Sequence, residues 1–365
     1  MTATAENIAP LTNTMGTDGF EFVEYASTEP EKLAKLFEGL GFTAIAKHRR
    51  KNVTLYRQGG INFILNAEPN GQAKLFTTEH GASANAMAFR VKDAAYAFNR
   101  AKELGAEVVE STAGPMELSI PALKGIGGSL IYLVDRYGDN GNIYDIDFKF
   151  FEGVDRHPKG AGLTYIDHLT HNVKQGNMDT WAGFYERLFN FREIRYFDIQ
   201  GKQTGLKSRA LTSPDGAIRI PINESSDDKS QIEEYLRLHN GEGIQHIALG
   251  SDDIYTTVET LRQKGVDFLD TKDTYYDRVN ERVPGHKEDL ARMQKNKILI
   301  DGEALDKENK EELLLQIFTN TVIGPLFFEI IQRKGNQGFG EGNFRALFQS
   351  IEDDQVRRGV LTDQA

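Results

Sequence analysis

Three residues in the C-terminal half of the chain could do chemistry together: His168 in YIDHLTHNV, His246 in GIQHIALG and Glu329 in LFFEIIQR. Glu329 is the most demanding of them. Its run of large apolar residues after Pro325 reads as a short buried strand. A lone carboxylate taken into an apolar interior costs several kcal/mol, or it takes up a proton instead. An arginine, a cage of hydrogen bonds or a metal ion would each compensate it. The two histidines also sit in apolar, strand-like segments. Two imidazoles and one carboxylate form the donor set of the facial triad that holds Fe(II) in non-haem oxygenases and leaves three positions for substrate and O2. A divalent cation there would compensate Glu329. His171 is the rival ligand. It lies three residues after His168, so on a strand it faces the opposite side, and Asp167 is expected to point with His171 in a supporting role. His48, His80, His157, His239 and His286 read as turn or loop residues.

No local motif links three residues so far apart, so the fold must bring them together. The chain repeats one pattern four times: a strand-like run, an amphipathic helix ending in a Gly or Asn turn, then further strand-like runs. The four start at FEFVEY, NAMAFRV, IDHLTHNV and GIQHIAL, and their helices end at LGF, LGA, FNF and KGV. The predicted class is therefore α+β. Four strand–helix–strand–strand–strand modules pair into two open β-barrels. The expected division is a loose tail over 1–18, an N-terminal metal-free barrel over 19–151, a Pro- and Gly-containing linker over 152–162, and a C-terminal barrel over 163–365 that carries the site. Overlaying the halves sets Phe22, Met87 and Tyr132 where the second half has His168, His246 and Glu329. None of these suits a hard metal.

Composition narrows the function. The 365 residues carry a formal net charge of −11, which argues against nucleic acid or an anionic membrane as a partner. There is no cysteine, so disulfides, thiolate metal sites and cysteine nucleophiles are excluded. The N-terminus has no basic segment followed by an apolar one, and no apolar run is long enough to span a bilayer. A cytoplasmic location is expected. Neither GFGEGNF nor KGIGGSL completes a nucleotide-binding glycine motif.

The segments IDHLTHNV, RIPINE, GIQHIAL, LLLQIF, FFEIIQRKG and GFGEGNFRALFQSIE resemble the bacterial 4-hydroxyphenylpyruvate dioxygenases, of the vicinal oxygen chelate superfamily. The resemblance runs from about Gly19 to Leu361. It implies Fe(II) on His168, His246 and Glu329, and conversion of 4-hydroxyphenylpyruvate and O2 to homogentisate and CO2. It also implies a substrate pocket. Gln231, Gln245 and Gln316 match the family's pocket glutamines, and Ser208 and Asn223 match the polar end near the phenol. Pro221 matches one wall, and Phe318, Phe339 and Phe344 match an aromatic clamp. From the residues alone, Gln231 and Ser208 read as surface and Phe318 as core. The segment after GFGEG reads as a helix, with Asn343 as its N-cap, that could close over the site as a lid. Family members are often dimers or tetramers, so a homo-oligomer is expected. Two relatives share the scaffold: 4-hydroxymandelate synthase, which separates from the first reading only by pocket shape, and the extradiol catechol dioxygenases.

Overall fold

The computed structural model describes residues 12–109, 113–114, 116–200, 205–305, 310–343, 355 and 358–360. Two mixed sheets follow one plan. The first contains β1 (Thr17–Ala26), β2 (Thr43–His48), β3 (Val53–Gln58), β4 (Ile61–Asn66), β5 (Ser83–Val91), β6 (Val108–Val109), β7 (Ala122–Lys124), β8 (Leu130–Val134) and β9 (Phe148–Phe150). Its order is β6-β7-β8-β5-β1-β4-β3-β2-β9. The second contains β10 (Leu163–Val173), β11 (Arg192–Gln200), β12 (Gly205–Thr212), β13 (Arg219–Ser225), β14 (Gly243–Ser251), β15 (Leu299–Glu303), β16 (Glu312–Phe318) and β17 (Phe327–Lys334). Its order, β11-β12-β13-β10-β14-β17-β16-β15, is that of the first sheet without the added edge strand β9. Within a module the first and last strands pair in parallel, as β10 does with β13. The two modules of a sheet meet antiparallel, as β10 does with β14.

Each module's helix follows its first strand and buries one stripe. The helix Met178–Phe189 buries Met178, Ala182, Tyr185, Leu188 and Phe189, three to four residues apart. It ends at Asn190, whose φ of 55° breaks the helix and returns the chain to a strand. Gly41, Gly105 and Gly265 make the corresponding turns after the other three helices.

Residues just before β1 are packed against the fold. Met15 is buried, Asn13 is hydrogen-bonded to Thr17, and Thr17 already opens β1. The segment between the sheets is clasped by the first one. Gln58 Oε1 accepts from the backbone of Ala161, and its Nε2 donates to the Leu40 carbonyl. Strand β17 shows how a charged residue can sit in an apolar run. Phe328 turns its ring toward the first sheet, 5.8 Å from Phe63 and 6.4 Å from Tyr25, where one main core joins both sheets. Phe327, Glu329 and Ile331 alternate to the other face.

Candidate metal centre

The three central strands of the second sheet set out the site by register. His168 on β10 pairs with Ala248 on β14, and Ala248 pairs with Glu329 on β17. Directly paired residues share a face, so the imidazole and the carboxylate stand on either side of one methyl group. His246 precedes Ala248 by two residues and completes a triangle above that methyl. His168 Nε2 lies 3.2 Å and His246 Nε2 3.5 Å from Glu329 Oε2. One donor atom from each residue falls within 4.8 Å of the others, and all three residues are buried.

Both histidines are aimed by the same local device. The β10–β14 register shifts between Ile166 and His168, and again opposite Gln245, so Asp167 and Gln245 are bulged. Each bulged side chain turns onto the histidine that follows it. Asp167 Oδ1 is 2.8 Å from His168 Nδ1, and Gln245 Oε1 is 2.9 Å from His246 Nδ1. An acceptor on Nδ1–H fixes the tautomer and leaves the Nε2 lone pair facing the centre. Thr170 Oγ1 lies 3.0 Å from His246 Nε2. Asp167 therefore supports His168 and does not point with His171. The expectation failed because a bulge breaks the two-residue period. His171 faces away from the site and meets the Tyr185 hydroxyl at 2.7 Å.

Glu329 is not neutralised by a guanidinium. The nearby Arg333 is spent on Asp167 through a bidentate pair at 2.7 and 2.8 Å. Glu329 Oε1 accepts from Gln316 Nε2 at 2.9 Å, and Gln316 Oε1 accepts from Asn343 Nδ2 at 3.0 Å. Asn343 Oδ1 accepts in turn from the Tyr275 hydroxyl at 2.7 Å and from Arg282 at 3.1 Å. Asn343 is thus a link in this chain of hydrogen bonds and not the expected helix cap, since residues 341–343 are already helical. The chain needs a glycine at 340. Gly340 has φ +74°, and a Cβ there would fall 1.6 Å from Gln316 Oε1.

The charges follow from these neighbours. Burial alone would raise the Glu329 carboxyl, but the two imidazoles, His168 first, outweigh it and hold the group down at about 2. Burial works against a protonated His168, yet Glu329 and then Asp167 raise it on balance. His246 has an amide where His168 has Asp167, so burial prevails and its imidazole is lowered. The result is a buried carboxylate facing two imidazoles, with only amide and imidazole partners. This donor set fits a divalent cation.

Comparison with known proteins gives the family. A model described as "Hydroxyphenylpyruvate dioxygenase, HPPD, N-terminal" matches residues 11–149, and one described as "Glyoxalase/Bleomycin resistance protein/Dioxygenase superfamily" matches 165–281. The chain is 61% identical over 352 residues to 4-hydroxyphenylpyruvate dioxygenase of Pseudomonas aeruginosa, covering 96% of this chain and 97% of that one. The chain belongs to the 4-hydroxyphenylpyruvate dioxygenase family. A relative named hemolysin VllY, from Vibrio vulnificus, is 64% identical, covering 96% of this chain and 98% of that one. Among solved structures, a fusion of a xylose isomerase-like TIM barrel with 4-hydroxyphenylpyruvate dioxygenase matches with TM-score 0.79 and 34% identity, covering 93% of this chain and 53% of the fusion. A mutant of 4-hydroxymandelate synthase from Streptomyces coelicolor shares the fold at TM-score 0.79 and 24% identity, covering 93% of this chain and 100% of that one.

The pocket residues expected from the family motifs fall in three groups. Gln316, Phe318 and Phe339 lie at the cluster of His168, His246 and Glu329. Phe318 pairs with Glu329 across β16–β17, and the Phe339 ring is 5.3 Å from that of His168. Ser208 and Asn223 are cross-strand partners on β12 and β13, and Asn223 also pairs with Asn172, two residues beyond Thr170. Pro221 pairs with Ala210 in the same ladder. Gln231 is half-buried at the first position of the helix Gln231–His239, with no side-chain hydrogen bond to the three ligands. Phe344 and nearly all of the proposed lid helix lie outside the described residues. Sequence reasoning missed Thr170, Phe327, Arg333 and the bridging role of Asn343. Phe327 stacks on His246 at 4.8 Å and 19°. Alternation from Glu329 would have found it, since residues two apart on a strand share a face. Two supposed loop histidines, His80 and His239, instead close helices and stack at 4.5 Å.

Proposed function

We propose that the chain converts 4-hydroxyphenylpyruvate and O2 to homogentisate and CO2 with Fe(II) held by His168, His246 and Glu329. The gathering of these three side chains around Ala248, inside a family member of this identity, carries the reading. Bound there, Fe(II) would supply the redox chemistry and the open positions that O2 and the 2-oxo acid need.

The protein's own contribution is placement. Asp167 and Gln245 hold the Nδ1 protons away from the centre, and Gln316 holds the second oxygen of Glu329 in place. Phe318, Phe327 and Phe339 surround the imidazoles with apolar surface that excludes water from reactive species. Phe344 is assigned to the same clamp by its family motif. Ser208 and Asn223 are assigned to the phenol end, with Pro221 as a wall and Gln231 at the rim. Beside them Asn172 is fully buried, and neither of its amide atoms has a partner among the described residues. This supports a polar end that a ligand completes. Gln245 acts through His246 in this reading, and Gln316 through Glu329. The segment after Gly342 is assigned the lid.

We further assign a cytoplasmic, homo-oligomeric enzyme, dimer or tetramer, to be checked by light scattering on the purified protein. No helix among the described residues is long and apolar enough to cross a membrane. The deciding experiment is oxygen uptake on 4-hydroxyphenylpyruvate with and without added Fe(II), with the product identified. Homogentisate, formed only with Fe(II), is expected. 4-Hydroxymandelate would transfer the assignment to the synthase, and no uptake would refute both.

A further inference from the structure

The first sheet is not a blank copy of the second. Its inner face encloses a cavity of about 250 Å3, walled by Phe22, Ile64, Ile120, Tyr132 and Phe148. The volume lies just under the ~300–1,000 Å3 of drug-sized sites, so it suits one ring with a short arm. Two carboxylates line this cavity; Asp147 accepts from the Leu118 backbone N–H at 3.1 Å, whereas Glu24, 7% exposed, is held only by side-chain amides. Its Oε1 accepts from Asn85 Nδ2 at 2.7 Å and from Asn66 Nδ2 at 2.9 Å. Among the described residues nothing donates to its other oxygen. The nearest cation, Lys51, is ion-paired with Glu117 at 3.3 Å. Burial holds the Glu24 carboxyl above its ordinary range, outweighing the two amides and the charge of Lys51. Nothing in the metal chemistry of the second sheet uses this group.

We propose that this cavity is a second small-molecule site that binds an arylalkyl ammonium ion, with the ammonium on the free oxygen of Glu24 and the ring among Phe22, Tyr132 and Phe148. The reasoning is charge and shape. A carboxylate already receiving two neutral amide hydrogens gains most from a charged donor, and a ligand bearing only a carboxylate would meet like charge. The ammonium has two sources, a free amine or an amino acid. In the amino acid case its carboxylate would lie toward Lys51 and the start of the helix Gln72–His80, where Gly71 and Gln72 also line the cavity.

The test is calorimetry on the full-length, metal-loaded protein with phenethylamine, L-phenylalanine, 3-phenylpropionate and 3-phenylpropan-1-ol. Saturable binding of the amine, the amino acid or both is expected, and whichever binds tighter identifies the source. Glu24→Gln should weaken that binding by about tenfold or more. Ala122→Leu, which fills the cavity, should abolish it, and both variants should turn over at the wild-type rate. The proposal is overturned if neither ammonium compound binds, if the alcohol or the acid binds as tightly, or if Glu24→Gln binds as the wild type does.

Discussion

Replacing Gln245 with leucine tests the idea that the bulged residues aim the histidines. In the native site Gln245 Oε1 is 2.9 Å from His246 Nδ1, and both residues are buried. Leucine fills similar space and accepts nothing. The Nδ1–H then loses its only polar partner, at a cost of about 1–3 kcal/mol. The imidazole can relieve that cost by moving its proton to Nε2, where Thr170 Oγ1 is an acceptor 3.0 Å away. That tautomer has no lone pair facing the centre. Metal affinity should therefore fall about 10–100-fold, the range found when such supporting contacts are removed, or about 1.4–2.7 kcal/mol. Gln245→Glu keeps an acceptor on Nδ1 and copies the Asp167–His168 arrangement, so it should recover most of the loss. Anaerobic titration with Co(II), followed by its visible absorption, measures all three proteins without turnover. Wild-type affinity in the leucine variant, with only KM for the keto acid raised, would show that Gln245 serves the substrate and that the argument from the bulge is wrong. Equal weakness in the leucine and glutamate variants would show that shape matters and the acceptor does not.

Three further outcomes follow from the same neighbours. His171 is fully buried and burial lowers its imidazole to about 3, so the folded state keeps it neutral while the unfolded chain protonates it below about 6.5. Its contribution is complete above that pH and is lost as pH falls toward 3. His171→Gln should make the drop in stability between pH 7 and 5 smaller by about 2 kcal/mol, read from urea midpoints; an unchanged drop would refute the assignment. Arg333→Met leaves Asp167, 1% exposed, with only the longer guanidinium pair to Arg219 at 3.7 Å and should cost about 3 kcal/mol, with most of it recovered in the double variant Arg333→Met/Asp167→Leu. Additive single effects in thermal unfolding would contradict that coupling. Gly340→Ala drives a methyl onto Gln316 Oε1 in a left-handed backbone, and should release Glu329 from its amide and lower metal-dependent turnover at least tenfold, while Gly216→Ala, left-handed but with open space, should not.

The fourfold module and the gathering of His168, His246 and Glu329 were legible because each rests on a strong local signal. Helix stripes ending in Gly or Asn mark the modules, and a carboxylate in an apolar strand stands out against its neighbours. What the sequence hid is the half-step in register. Alternation sent Asp167 to the wrong face because it could not see the bulge, and the overlay set Met87 opposite His246, one residue out, although both sheets bulge at equivalent places. The paired rows correct this. Phe22, Ala88 and Tyr132 occupy one row of the first sheet, as His168, Ala248 and Glu329 do in the second, so the counterpart of His246 is Ala86. Contacts made through distant segments, such as Arg333 with Asp167 or Asn343 with Gln316, carry no local pattern and could not be read in advance.

The same rows show how one scaffold surrounds two buried carboxylates differently. Glu24 pairs with Ala86 as Thr170 pairs with His246, so each half places a polar group at this position. In the second sheet the hydroxyl of Thr170 meets an imidazole, and the acid is one row away with two imidazoles on it. In the first sheet the acid itself occupies the position, and its neighbours are the amides of Asn66 and Asn85. Imidazole lone pairs and a carboxylate oxygen directed at one point coordinate a cation. Amide N–H groups directed at a carboxylate only hold its orientation and leave its charge facing an aromatic cavity. The difference between the donor cluster of the second sheet and the amide-held acid of the first therefore reduces to which residues the register places around a buried carboxylate, since the backbone that presents them is the same.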